Sequence, residues 1–256
     1  MRWYIVMLAL MMLTDVQAGW QDMLGDMLEQ STKSETVSTD SVQSDALRVA
    51  LKQGVGYAVD TLGKKNGYFN DAKSKVLLPK NLQKMEPLIC KSGGDAMVDE
   101  LILSMNDAAT EAAPKTVDIF FSAIQKMSIT DAQAILKSDD NALTEYFRKH
   151  SNAELALMIK PFVTKMMDKN KVSYYYKQVR NSYEQNSASI PYHEGLLSVG
   201  KSFGLDAYVP PKELDEYVTK KAIDGLFVKI SEEEKKIRDN PLVQKSKLIR
   251  DVFGSI

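Results

Sequence analysis

Every long periodic pattern of apolar residues in this 256-residue chain repeats at intervals of three and four, and none alternates. Such a chain can bury its apolar side chains only along helical stripes, because a half-buried strand requires period two. The longest pattern runs from Lys212 to Ile237, places Ile223, Leu226, Phe227, Ile230 and Ile237 on one side, and is stopped by Asn240-Pro241. An equally regular pattern carries Leu47, Leu51, Val55, Ala58, Val59 and Leu62 until Gly63 ends it. The predicted class is all-α, a single irregular multi-helix bundle of about nine or ten helices.

Punctuation residues divide the intervening chain. Gly63 to Asn70 (GKKNGYFN) reads as a loop pinned to the core by Tyr68 and Phe69, and Leu78-Pro79 opens the next helical run. After Gly93-Gly94 a long helix presents Val98, Leu101, Ile102, Met105, Ala109 and Ala112 on one face. Pro114 stands at the start of another, which buries Val117, Phe120, Phe121, Ile124 and Met127. Thr130 with Gln133 and Ser151 with Glu154 have the spacing of capping boxes, and Ser138-Asp139-Asp140 can cap a helix bearing Leu143, Tyr146 and Phe147. The run from Ala153 to Met167 is expected to kink or break near Pro161; Lys171 to Tyr183, with the Tyr174-Tyr175-Tyr176 triplet, follows it. Residues 186–211, with Pro191, Gly195, Gly200, Gly204 and Pro210-Pro211, form the least helical part, and a last helix ends near Gly254.

The amino terminus reads as an address. Arg2 precedes the apolar run Trp3–Leu13, and Val16-Gln17-Ala18 supplies small residues for a signal peptidase. Eleven apolar residues fall short of the roughly 20 that a helix needs to cross a bilayer, so the segment is read as a cleaved signal that leaves no transmembrane anchor. Residues 1–18 are therefore expected to be removed, and the mature chain to reach the periplasm. In residues 19–44, Trp20, Met23, Leu24, Met27 and Leu28 share one helical face opposite Asp22 and Asp26, and a Ser/Thr-rich stretch follows that has almost nothing to bury. That short amphipathic helix is expected to dock on its own domain, or else on a partner or a membrane, although its acidic polar face counts against an anionic membrane surface. Residues 45–256 make up the helical domain.

Composition excludes several functions. With 33 Lys plus Arg against 34 Asp plus Glu there is no basic stripe for nucleic acid. Cys90 is the single cysteine, which rules out an intrachain disulfide and reads as a small buried apolar residue. The two histidines, His150 and His193, cannot with that one cysteine assemble a Cys/His zinc site, and His150 reads as a helix C-terminal dipole partner. No metal or cofactor is expected. Asp131, Asp139, Asp140 and Glu145 lack the central glycine and closing glutamate of a calcium loop, and capping accounts for Asp139 and Asp140.

Gly195–Ser202 (GLLSVGKS) spells a complete phosphate-loop string, in which Lys201 would reach the terminal phosphates and Ser202 would hold magnesium. A real phosphate loop follows a buried strand, and NSASIPYHE is not one, so the string is read as a loop without nucleotide. No G-x-S-x-G and no H-E-x-x-H occurs. Asp224-Gly225, within the longest helix, does need a reason, since glycine there costs about 1 kcal/mol against alanine. Close packing or space for a ligand would supply one. Glu232, Glu233 and Glu234, with Lys235, Lys236 and Arg238, read as a solvated face.

Several blocks in order resemble a bacterial family catalogued as domain of unknown function 4197. They are ALKQGVGYAVDTLG with GYFND and LLPKNLQKME, then DELILSMNDAATEAAPK, MSITDAQAILKSDDNALTEYFRK and DEYVTKKAIDGLFVKISEEEKKIRDNP, which together cover most of residues 46–254. The resemblance implies an exported helical protein and brings no activity, cofactor or catalytic residue with it. Asn106, Arg148 and Arg238 lie in these blocks. With Asp139, Asp140, Asp224 and Gly225 they are the candidate binding residues, while Trp20, Met23, Leu24, Met27 and Leu28 are the candidate docking residues.

The functional reading is a non-enzymatic binding or scaffold module. Its partner would be an envelope protein. The alternatives are a carrier holding an apolar, lipid-like small molecule among Met97, Met105, Met127, Met158, Met166 and Met167, and a hydrolase acting through an unrecognised carboxylate pair.

Overall fold

The helical spacing of the sequence is realised as an all-α bundle. The computed structural model describes residues 39–187 and 214–255, apart from residues 92 and 131. The helices are α1 (Thr39–Leu62), the single turn α2 (Gly67–Asn70), α3 (Lys80–Lys91), α4 (Asp95–Ala112), α5 (Val117–Lys126), α6 (Ala132–Leu136), α7 (Ala142–Lys169), α8 (Val172–Ser187), α9 (Leu214–Asp239) and α10 (Lys247–Phe253). Helices α1 and α9 are the most extensively packed pair, and α7 lies along α9. Gly54 makes the first approach possible, because a Cβ there would stand 3.0 Å from the Ile230 side chain on α9. Phe120, Phe147 and Phe227, from α5, α7 and α9, meet edge-on or tilted with centroids 5.7, 5.9 and 6.1 Å apart at the centre of the core.

The expected loop Gly63–Asn70 closes one helical turn over its second half, and the structure departs from the sequence reading in four further places. Helix α1 begins at Thr39, ahead of the expected start at Ser44 or Asp45, because Val42 packs against the core and Ser44 is buried with its hydroxyl on the Ile129 carbonyl. Helix α7 runs unbroken through both Ser151 and Pro161. Ser151 does not open a helix; its buried hydroxyl donates back to the Phe147 carbonyl at 2.6 Å, an arrangement that a helix interior accommodates. Pro161 removes only the donor to the Leu157 carbonyl, on an exposed face where water can take its place. His150 consequently sits mid-helix, its Nδ1 on the Tyr146 carbonyl and its ring against Tyr146, instead of at a helix end.

The fourth departure concerns the start of α7. Asp139 and Asp140 are exposed and do not cap it with their side chains; the Asp139 backbone carbonyl accepts from Ala142, and Asp140 pairs with Lys235. The capping acceptor comes from α9, as described below. Among the described residues no helix is long and apolar enough to cross a membrane. The leader stretch Trp20–Leu28 and the GLLSVGKS string lie outside the described residues.

Candidate functional site

Helix α9 organises the candidate residues into two polar clusters. The upper one surrounds Asp224 and Gly225. Gly225 faces Tyr68, and a Cβ there would stand 2.6 Å from the Tyr68 ring and 3.1 Å from Ser74. Close packing, not ligand space, is therefore the reason for this glycine. Tyr68 is fully buried and donates its hydroxyl to the Ala222 carbonyl at 2.6 Å; burial pushes that hydroxyl far above the ordinary tyrosine range. The chain from Gly63 to Pro79 is then held from both sides. From α9, Tyr217 donates to the Leu77 carbonyl at 2.9 Å, and from α4 the fully buried Asn106 takes both backbone groups of Val76, each at 2.8 Å. Its amide also donates to the Ile102 carbonyl, so both of its N–H donors and its oxygen are directed at backbone.

Two ion pairs complete this cluster. Arg148 of α7 bonds Asp224 and lies over the Phe227 ring. Lys229, with only 6% of its side chain exposed, pairs with Asp71 at 2.6 Å and Glu232 at 2.8 Å. Burial opposes ionisation of all three. Hydrogen bonds and opposite charge outweigh it, raising the Lys229 ammonium and holding both carboxyls below their usual range.

The lower cluster is built on Glu234 and Arg238, one turn apart. Glu234 is 3% exposed and accepts from the Leu143 amide at 3.1 Å and from the Thr144 amide and hydroxyl, each at 2.7 Å. It thus supplies the cap for α7 from across the bundle and places negative charge at the positive helix end. Arg238 donates to Glu234, and its remaining donors take the Leu136 and Ile135 carbonyls at the end of α6, at 2.9 and 3.1 Å. One charged pair on α9 closes the α6–α7 corner at both ends.

Asn106, Arg148, Asp224, Gly225 and Arg238 are thereby occupied with partners of their own chain, and Asp140 holds Lys235. The sequence reading missed the role of Glu234, which it assigned together with Arg238 to a solvated face; their side chains are only 3 and 10% exposed. The signal was present: Ile223, Phe227, Ile230, Glu234 and Ile237 follow helical spacing, so Glu234 lies on the buried stripe. Among the described residues no group of three or more His, Cys, Asp or Glu is placed to hold a metal ion. Cys90 is partly buried, and burial together with Asp95, Glu86 and Asp99 raises its thiol, away from a reactive thiolate.

Among the described residues, two features beyond this packing offer room for a ligand or a partner. A half-open cleft of about 200 Å³ is lined by Thr164, Met167, Asp168, Ser173, Tyr176, Leu214 and Asp215. The other is the outward face of α7, where Leu157, Met158 and Phe162 are 77, 40 and 39% exposed beside exposed Pro161. Spacings of four and five residues set them side by side on one helix surface.

A family model described as "Protein of unknown function (DUF4197)" matches residues 37–254. The chain belongs to that family. The matched span opens just ahead of α1 and closes at the end of α10, so the family unit is the helical bundle itself. No curated protein and no solved structure matches the chain.

Proposed function

We propose that this protein is an exported binding or scaffold module that acts by contact, through the outward face of α7. The observation that carries this reading is the contiguous apolar face of Leu157, Met158, Pro161 and Phe162, left in solvent on one long helix; of the other exposed large apolar side chains among the described residues, Leu77, Met97 and Tyr174 stand singly and Leu242 with Val243 lies on a short 3-10 turn. Isolated exposed apolar residues are ordinary, but adjacent ones on a helix form the kind of patch that a partner covers. The interior supports binding over chemistry, because Glu234, Asp224, Asp71 and Glu232 each have a cationic partner and perform structural work. The amino-terminal Arg2, the Trp3–Leu13 run and Val16-Gln17-Ala18 support export to the periplasm.

The carrier alternative has less behind it. Met105, Met127 and Met167 are buried as core packing, and the 200 Å³ cleft is smaller than the roughly 300–1,000 Å³ of ordinary ligand pockets and partly polar in its lining. The contact reading is tested with a photo-crosslinking residue at Met158 in the living cell. One envelope protein should be captured reproducibly, and the pair Leu157→Glu and Phe162→Glu should abolish its capture while leaving the circular dichroism and melting temperature of the purified chain unchanged. Capture that ignores both substitutions would refute the assignment of this face.

A further inference from the structure

We propose that the stretch Trp20–Leu28 of this same chain packs on the outward face of α7, covering the contact surface until a partner displaces it. The inference adds a regulating segment to the surface assigned above. The intramolecular contact itself can be tested without any partner.

Three observations point to this occupant. The first is complementary shape and polarity. Trp20, Met23, Leu24, Met27 and Leu28 form one apolar stripe by helical spacing, about 12 Å long, enough to cover the roughly 7.5 Å along α7 occupied by Leu157, Met158, Pro161 and Phe162. The second is charge. The polar side of the stretch carries Asp22, Asp26 and Glu29, while Lys165, exposed at the next position along the α7 face, has no acidic partner among the described residues. Lys126, at the other end of that face, pairs with Glu154 at 3.7 Å, with both side chains largely in solvent. The charge that favours the stretch is therefore that of Lys165, because Glu154 already balances Lys126.

The third observation is reach. Near the start of α1, Ser44 bonds the Ile129 carbonyl and Arg48 donates to the Met127 carbonyl at 3.1 Å, which sets the first turns of α1 beside the end of α5. Lys126 of α5 then meets Glu154 of α7, one turn from Leu157 and Met158. At 1.5 Å per helical residue and ordinary side-chain lengths, the path from Thr39 to Leu157 is on the order of 30 Å. Ten residues separate Leu28 from Thr39, and about 3.3–3.6 Å per extended residue gives roughly 35 Å of chain. The stretch reaches this face without disturbing α1.

Tryptophan placement provides the experiment. In the chain starting at Gly19, Trp20 is the single tryptophan, because Trp3 precedes it. With the exported chain purified at low concentration, Trp20 should show blue-shifted emission and protection from a soluble quencher. Leu157→Glu with Phe162→Glu should shift the emission red and remove the protection while circular dichroism and melting stay unchanged. Lys165→Glu should do the same in part.

Solvent-like Trp20 emission in the unaltered chain would overturn the proposal. So would buried emission that is indifferent to the α7 substitutions, since the stretch would then lie elsewhere or residues 188–213 would cover the face. Protection that appears only with rising concentration, alongside a doubled mass in sedimentation, would assign the face to a second copy; protection only on adding phospholipid vesicles would assign it to a membrane. Either result would overturn it as well. A defined partner at Met158 with a solvated Trp20 would leave the contact reading standing without this segment, whereas a protected Trp20 with no partner would do the reverse.

Discussion

Replacing Arg238 with Met isolates the contribution of one charged pair to the closure of the bundle. The substitution keeps much of the side-chain volume but removes the only cation among the described residues that is bonded to Glu234, which is 3% exposed, and frees the Ile135 and Leu136 carbonyls. Breaking a buried pair by removing one partner costs about 3–5 kcal/mol, because an uncompensated charge stays in the interior. Glu234→Leu should cost a similar amount, since it strips the Leu143 and Thr144 amides of their acceptor and leaves the guanidinium without its carboxylate. For a folded body of this size each kcal/mol lowers the melting temperature by about 2–4 °C, so either single change should lower it by roughly 6–20 °C. The double variant leaves no charge unpaired and should be less damaging than the two singles added together, by about 0.5–3 kcal/mol of coupling. Thermal and urea unfolding followed by far-ultraviolet circular dichroism measures all four corners of this cycle. A single variant that loses under about 1 kcal/mol, or a double variant whose loss equals the sum, would refute the account of this pair as the closure of the α6–α7 corner.

Three further outcomes follow from the same geometry. Gly225→Ala should destabilise by about 1–3 kcal/mol through overpacking, despite the gain of about 1 kcal/mol in helix propensity, because its Cβ would stand 2.6 Å from the fixed Tyr68 ring; adding Tyr68→Leu should reduce the penalty of the alanine. Asn106→Leu orphans the Val76 N–H and C=O in the interior, at about 1–3 kcal/mol for each group, and should speed hydrogen exchange across residues 71–79. The pH dependence has a definite sign. Asp71 and Glu232 are lowered, so their contribution is complete above the unfolded carboxylate values near about 4 and is lost as pH falls through the lowered folded values. Lys229 is raised, so its contribution is complete below its unfolded value near about 10.4 and is lost as pH rises through the raised one. Lys229→Met should flatten both edges of the stability profile, and a profile identical to that of the parent chain would count against the pairing.

The positions of the long helices were legible because helical periodicity is a local property. Leu47 to Leu62, Val98 to Ala112 and Ile223 to Ile237 carry their buried stripes in their own spacing, and the aromatic anchor of the Gly63–Asn70 segment was visible as Tyr68. The candidate residues Asn106, Arg148, Asp224, Gly225 and Arg238 were found, but not what they hold. A buried amide, a buried ion pair and a tight glycine look alike in one dimension whether they serve a ligand or the chain itself.

Capping shows where local reasoning stops. Ser151 with Glu154 has the spacing of a helix start, yet α7 continues through it because the hydroxyl can bond the carbonyl of the preceding turn. The true start of α7 takes its acceptor from Glu234, about 90 residues away; helical spacing puts Glu234 on the buried stripe of α9, but nothing local says which helix end it meets. The sequence by itself determined the helical class, the buried stripes and the balanced charge, since each depends on residue type and short-range spacing. Tertiary structure alone decided that Glu234 and Arg238 close a corner, that Gly225 exists for Tyr68, and that Leu157, Met158 and Phe162 are left in solvent, because those outcomes depend on which distant helix arrives to satisfy or cover each group.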